Sequence, residues 1–310
     1  MENKKYALVT SVGGHAFMEL NFAATYSQEP VVFSEKDNKD DFEKEVMEIY
    51  ERFSLMFPNI KVATWDEREK FTKQGISWRK ELLDERIDAT MWERFAQTRL
   101  RPQIQTDLPR FAGIKSDTRN ILLIPQKLIS DGKCGITAQQ QTVPLSAFNF
   151  FKNEEGNRYI LGQHFHKVND VENVKDVAID FGMYVPGEKE DRHVYGIRGV
   201  SHNQYLNMYN KLDMSVGIAG THTWYMLTCF PNTPQIILYN KNGVENWDEI
   251  ANSYRKNGKN VYALGFDENT DWKKFALEIK ARYIKLANTI DKEKMKKARN
   301  LSKKIKGKSL

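Results

Sequence analysis

Two glycine-containing turns carry the residue types that could hold an anion or move a proton. The first is Ser11-Val12-Gly13-Gly14-His15, between an apolar run at 6–10 and a stretch at 16–24 whose apolar residues recur at helical spacing. Glycines at a strand-to-helix turn let the backbone approach a ligand, and the helix start behind them offers N–H groups and a partial positive charge. The same pair also serves as a plain tight turn, and it lacks the GxGxxG spacing of a dinucleotide fingerprint. His15 is a base or polar anchor in one reading and a first-turn cap of its own helix in the other. The second turn is Gly217-Ile218-Ala219-Gly220-Thr221-His222-Thr223, where a buried-type strand opens into a helix before a further strand at 235–239. A loop at the carboxyl end of a parallel strand is where open α/β sheets bind ligands, and Thr221 with the helix-start amides suits a phosphate.

Other side chains cluster near these turns by position. Arg198 ends an apolar run at 193–197 and is placed to neutralise a diphosphate, while Glu245 follows the strand ending at Tyr239 and could accept from a ribose hydroxyl pair or simply begin a helix. Lys127 and Lys133 follow the strand at 120–124 and are phosphate ligands or ordinary surface lysines. His164 and His166 face one side of a strand, but no third ligand type stands near them, so no metal is expected. Asp40-Asp41 reads as the start of a charged helix rather than as a metal-binding acidic pair.

The elements that must position these residues alternate as in an α/β protein. Strands are expected at 6–10, 31–33 and 60–63, with helices at 16–24, 41–57 and 78–100 between and after them. The pattern restarts with a strand at 120–124, followed by a Gln/Gly/Lys-rich stretch at 126–157 that reads as an irregular excursion. Further strands are expected at 158–161, 193–197, 214–218, 235–239 and 261–264, and a helix starts at Asp271 and runs into the basic tail. With 310 residues the chain exceeds the size at which one core stops growing, so two domains are the natural division.

Charge and cysteine usage narrow the class. The net charge is +6, yet residues 285–310 carry ten Lys/Arg against Asp291 and Glu293, which leaves the remainder slightly acidic. Such a tail holds an anionic membrane surface or nucleic acid by charge, or is a solvated helical end. The two cysteines, Cys134 and Cys229, have no metal-binding spacing and read as reduced thiols. No leader-like or spanning apolar stretch is evident, so the expected location is the cytoplasm, with peripheral contact at the inner membrane face.

Gly13-Gly14-His15-Ala16-Phe17, with Leu20 following, resembles the GGHxF…L loop of the peptidoglycan N-acetylglucosaminyltransferase family. Residues 204–239 are similar to the donor half of the lipopolysaccharide heptosyltransferases, where Ser215-Val216 and Thr221-His222 match; Gly217 stands in place of that family's aspartate and Ala219 in place of a glycine. The resemblance implies a GT-B fold, α/β with two Rossmann-like domains facing a cleft. Residues 1–115 would be the acceptor domain, 116–270 the nucleotide-sugar domain, and 271–310 a helix crossing back to the first domain with the basic tail. It implies metal-independent, cofactor-free transfer of a sugar from a nucleotide sugar to a bacterial surface glycan or lipid-linked acceptor, as in lipopolysaccharide or capsule biosynthesis. His15 would be the catalytic base, and Gly13 and Gly14 would line the cleft. Gly217, Gly220, Thr221, His222, Arg198 and Glu245 would bind the donor. A DNA-modifying glycosyltransferase, a nucleotide-sugar epimerase and a non-catalytic nucleotide-binding protein are the alternatives, since a fold does not fix a function.

Overall fold

The computed structural model describes residues 6–9, 14–33, 51–63, 67–76, 89–104, 118–124, 143–154, 156–161, 202–243 and 245–306. Two parallel sheets with helices around them make an α/β protein, compatible with Rossmann-like winding. The first sheet holds β1 (Tyr6–Val9), β2 (Glu29–Phe33), β3 (Lys61–Ala63) and β4 (Gly75–Ile76) in the order β3-β2-β1-β4. The second holds β5 (Arg119–Ile124), β6 (Asn157–Leu161), β7 (Met214–Ile218), β8 (Gln235–Asn240) and β9 (Val261–Phe266) in the order β6-β5-β7-β8-β9. Parallel neighbours need long crossovers. The described helices are α1 (Gly14–Thr25), α2 (Arg68–Gln74), α3 (Ala89–Gln97), α4 (His202–Tyr209), α5 (Thr221–Cys229), α6 (Trp247–Lys256) and α7 (Trp272–Lys306), with a 3-10 helix at Leu145–Asn153.

Strand alternation sorts the second sheet's side chains onto two buried faces. Ile121, Leu123, Met214, Val216, Ile218, Ile236, Leu238, Leu264 and Phe266 face one cluster, which the 3-10 helix and α7 complete. Leu122, Ile124, Ile237, Tyr239 and Val261 face the other, which α4, α5 and α6 cover. The sequence of α6 shows why it forms where it does. The Asn246 side chain accepts from the Glu249 N–H at 3.2 Å, Asp248 and Glu249 sit in the first turn and Arg255 and Lys256 in the last, and Trp247, Ile250, Ala251 and Tyr254 make its buried stripe.

The described residues of the first sheet pack partly against the second half. On the first sheet's outer face, among the described residues, Tyr6, Leu8, Val31, Ala63 and Phe71 cluster, whereas Ala7, Val9 and Val32 join the large core shared with α4, α5 and α6. Helix α1 is buried on more than one side because it lies between β1 and α5. The Phe17 ring meets Tyr225 of α5 edge-on at 4.1 Å, and Trp92 of α3 stacks on Trp224 at 6.1 Å, which in turn packs on Trp247 at 4.6 Å. The Leu100 N–H donates to the Thr228 carbonyl at 3.0 Å and Arg99 Nε to the Cys229 carbonyl at 3.2 Å, so last-turn carbonyls of α5 find partners in the segment after α3. Along this contact the halves share a packed core rather than facing each other across a gap.

Several expectations change. The expected crossing helix at 271–310 starts as foreseen, with the Asp271 carboxylate accepting from the Lys273 and Lys274 N–H groups at 3.0 and 3.2 Å. It then lies along the second sheet: Phe275, Ile279, Tyr283, Leu286, Ala287 and Ile290 join a cluster whose members, among the described residues, belong to the second half. The physical reason is that a parallel sheet exposes two apolar faces, and this amphipathic stripe is what closes the second one. Lys294 fixes its far part, donating to the Asp213 carboxylate at 2.8 Å and the Thr118 carbonyl at 2.7 Å. Residues 52–56 form turns instead of extending the helix expected at 41–57. The expected strand at 193–197 lies outside the described residues.

Candidate functional site

The two strand orders single out one place in each sheet. From β1 the chain moves to β2 and β3 on one side, while β4 lies on the other; from β5 it moves to β6 on one side, while β7 leads to β8 and β9 on the other. These reversals are topological switch points, outside whose carboxyl strand ends open α/β sheets take their ligands. Helix α1, starting at Gly14, follows the carboxyl end of β1, and α5, starting at Thr221 behind Gly220, follows that of β7. The C-terminal ends of both helices meet residues 98–100: Thr25 Oγ1 lies 2.9 Å from Thr98 Oγ1, and Leu100 reaches Thr228. Their glycine-led starts therefore point away from that segment, toward the carboxyl ends of the sheets.

At the β7–α5 turn the geometry is built from short-range contacts. Gly217 is paired with Ile124, and a side chain there has no room, because a Cβ would stand 2.5 Å from the Ile124 Cβ and 2.6 Å from its carbonyl oxygen. Its glycine is accounted for by the close approach of β5. Gly220 is extended, and its N–H donates to Thr223 Oγ1 at 3.1 Å while its carbonyl accepts from the Thr223 N–H at 2.9 Å. Thr223 thereby clamps the helix start from within its own first turn. Its hydroxyl also lies 3.2 Å from Nε2 of His222, which is only 5% exposed. His222 is thus held inside the turn, and the helix-start backbone at Gly220 and Thr221 forms its outer edge.

The neighbouring strand end supplies a carboxylate. The Tyr239 hydroxyl, at the end of β8, donates to Asp248 in the first turn of α6. Burial, then this carboxylate, pushes the Tyr239 phenol up, so it remains a donor. Glu245 is half-buried two positions before α6, and its carbonyl accepts from the Trp247 N–H at 3.1 Å. At the ends of β8 and β9, Lys241 donates to Asp267 at 2.9 Å, and this bond holds the Asp267 carboxyl below its ordinary value. Chemically, the edge offers backbone donors and a partial positive charge at α5, with carboxylates at the start of α6.

The structure brings Gly217, Gly220, Thr221 and His222 together on one turn, with Glu245 on the loop of the adjacent strand. Gly14 and His15 begin α1. Gly13, Arg198, Lys127, Lys133, His164 and His166 lie outside the described residues. Sequence reasoning missed Thr223 and the Tyr239–Asp248 pair. A threonine three positions after a glycine N-cap was a signal for the first, while the second joins residues across a strand end and a helix start and left no local pattern. Cys229 is buried at the end of α5, and burial pushes its thiol up to about 12, which keeps it protonated.

No family model, curated protein or solved structure matches the chain.

Proposed function

We propose that the protein is a metal-independent glycosyltransferase that takes a sugar from a nucleotide sugar and passes it to a glycan or lipid-linked acceptor. One observation carries this reading: each of two parallel sheets places a glycine-led helix start at its topological switch point, so that two half-sites are available, one for a donor and one for an acceptor. In this reading the two sheets correspond to the domains of a GT-B enzyme. The donor diphosphate sits on the Gly220–Thr221 backbone, where helix-start amides stabilise the charge that develops on the leaving group. Glu245 accepts from ribose hydroxyls, Arg198 neutralises the diphosphate, and His15 deprotonates the acceptor hydroxyl from the start of α1. His222 acts through Thr223, holding the turn in shape.

A second reading, nucleotide binding without turnover, draws on the burial of His222 and its bond to Thr223, which withdraw the turn's imidazole from direct chemistry. Thermal melting against nucleoside diphosphates and their sugar conjugates tests the shared premise, since a ligand that binds only the folded state raises the melting temperature. One diphosphate is expected to raise it, and Gly220→Val, which sets a side chain on an extended backbone at the turn, is expected to abolish the rise. If no nucleotide raises it, both readings fall. Release of the free nucleoside diphosphate from the stabilising sugar conjugate, in the presence of acceptor, separates transfer from binding alone.

A further inference from the structure

The solvent side of α7 carries an apolar line that neither large core cluster of the described residues includes. Leu277, Ile284 and Met295 are 67%, 44% and 56% exposed, three of the four large apolar side chains exposed among the described residues. They are seven and eleven residues apart, close to two and three whole turns, so they fall on one line along the helix, spanning about 27 Å. The buried stripe of Phe275, Ile279, Tyr283, Leu286 and Ile290 lies on the opposite side, against the second sheet. Exposed Lys273, Lys274, Lys285, Lys292 and Lys296 flank the apolar line, with Glu293 the exposed acid near its far end. Ala281 and Asn288, also exposed, fill the line without bulk.

We propose that this face of α7 is a docking surface for an anionic lipid bilayer, lying in the plane of the membrane with Leu277, Ile284 and Met295 in the headgroup boundary. The charge pattern selects this occupant. An apolar line bordered by lysines matches a surface that is apolar within and negatively charged at its rim. A second copy of the same helix would set lysine against lysine, and nucleic acid would use the cations and leave the apolar line in water. The proposal does not depend on the donor site at the carboxyl end of β7. Because α7 is fastened to the opposite side of the second sheet's core, docking would also fix the orientation of that sheet relative to the bilayer.

Co-sedimentation of the full chain with vesicles tests it. Vesicles of phosphatidylcholine with about a third phosphatidylglycerol are expected to bind the protein roughly tenfold or more better than phosphatidylcholine alone, and the preference is expected to shrink with added salt. The Leu277→Ser/Ile284→Ser variant is expected to lose about tenfold in binding to the anionic vesicles. Its melting temperature should be unchanged, because both side chains are exposed. Absence of binding to anionic vesicles overturns the proposal. So does full binding by the double variant, which would assign the attraction to the tail's charge alone. A wild-type dimer in light scattering that the double variant dissolves would assign the face to a second copy, and duplex DNA competing the protein off the vesicles would assign it to nucleic acid; either outcome overturns it as well.

Discussion

The two halves solve the same problem with unequal means. The second sheet is built from strands of five or six residues, buried on both faces by large clusters and closed by a long helix. Among the described residues the first includes strands of three and two residues, and its outer face holds a cluster of five side chains. Its inner face, among those residues, merges with the core beneath α5. A parallel sheet needs both faces covered, and among the described residues the first half takes part of that cover from the second. The contact through Phe17, Tyr225, Trp92 and Trp224 is therefore part of the first half's core as much as a junction. Domain motion of the open-and-close kind would have to break that core.

The largest expected effect strikes the second half. Gly217→Val places a side chain where a Cβ alone already stands 2.5 Å from Ile124, at the last pair of the β5–β7 register. It is expected to cost roughly 3 kcal/mol or more. Because the first half depends on the second, urea unfolding should show both halves lost together. A variant in which the first sheet survives while β5–β9 unfold would break the comparison.

A smaller effect is expected from the first half's side. Phe17 is fully buried between α1 and α5, and Phe17→Ala should cost about 3 kcal/mol through lost burial and the cavity left behind. Amide exchange should quicken in β1, β2 and α1 while the strands of the second sheet keep their protection. Equal loosening of both sheets would show that the dependence runs both ways.

What the sequence disclosed follows the length and period of each element. β7, α5 and β8 are legible because a buried apolar run, a glycine turn and another apolar run stand in order. β4 was not, since two residues carry no period. The 3-10 helix was missed because Phe148, Phe150 and Phe151 crowd together without a helical repeat of 3.6. For α7 the start at Asp271 was legible but not which half would receive the helix; that depends on which sheet face still lacks a cover. The β7–α5 turn of the candidate site was legible from its glycines, yet one of these, Gly217, answers to the backbone of Ile124. Thr223 and the Tyr239–Asp248 pair depend on where a turn folds and a strand ends, which spacing alone does not encode.

The smallest effect uses pH to ask which half gives way first. Tyr209, Tyr239, Tyr254 and Tyr283 all have phenols pushed above the ordinary value of 10.0, chiefly by burial, and all lie in the second half. In each case the folded state keeps its proton where the unfolded chain gives it up. Above pH 10 the unfolded state therefore binds fewer protons than the native one, and stability falls as pH rises; below that value the contribution is present in full. For the deeply buried Tyr209 and Tyr254 the loss is about 1 kcal/mol each by pH 11. Phenolate absorbance should stay low until the second sheet unfolds and then rise together with the loss of circular dichroism. Tyr254→Phe should move that alkaline midpoint upward relative to its own stability at neutral pH. If absorbance climbs smoothly while the dichroism holds, these tyrosines ionise inside the folded protein, and the second half is less tightly closed than its two buried faces indicate.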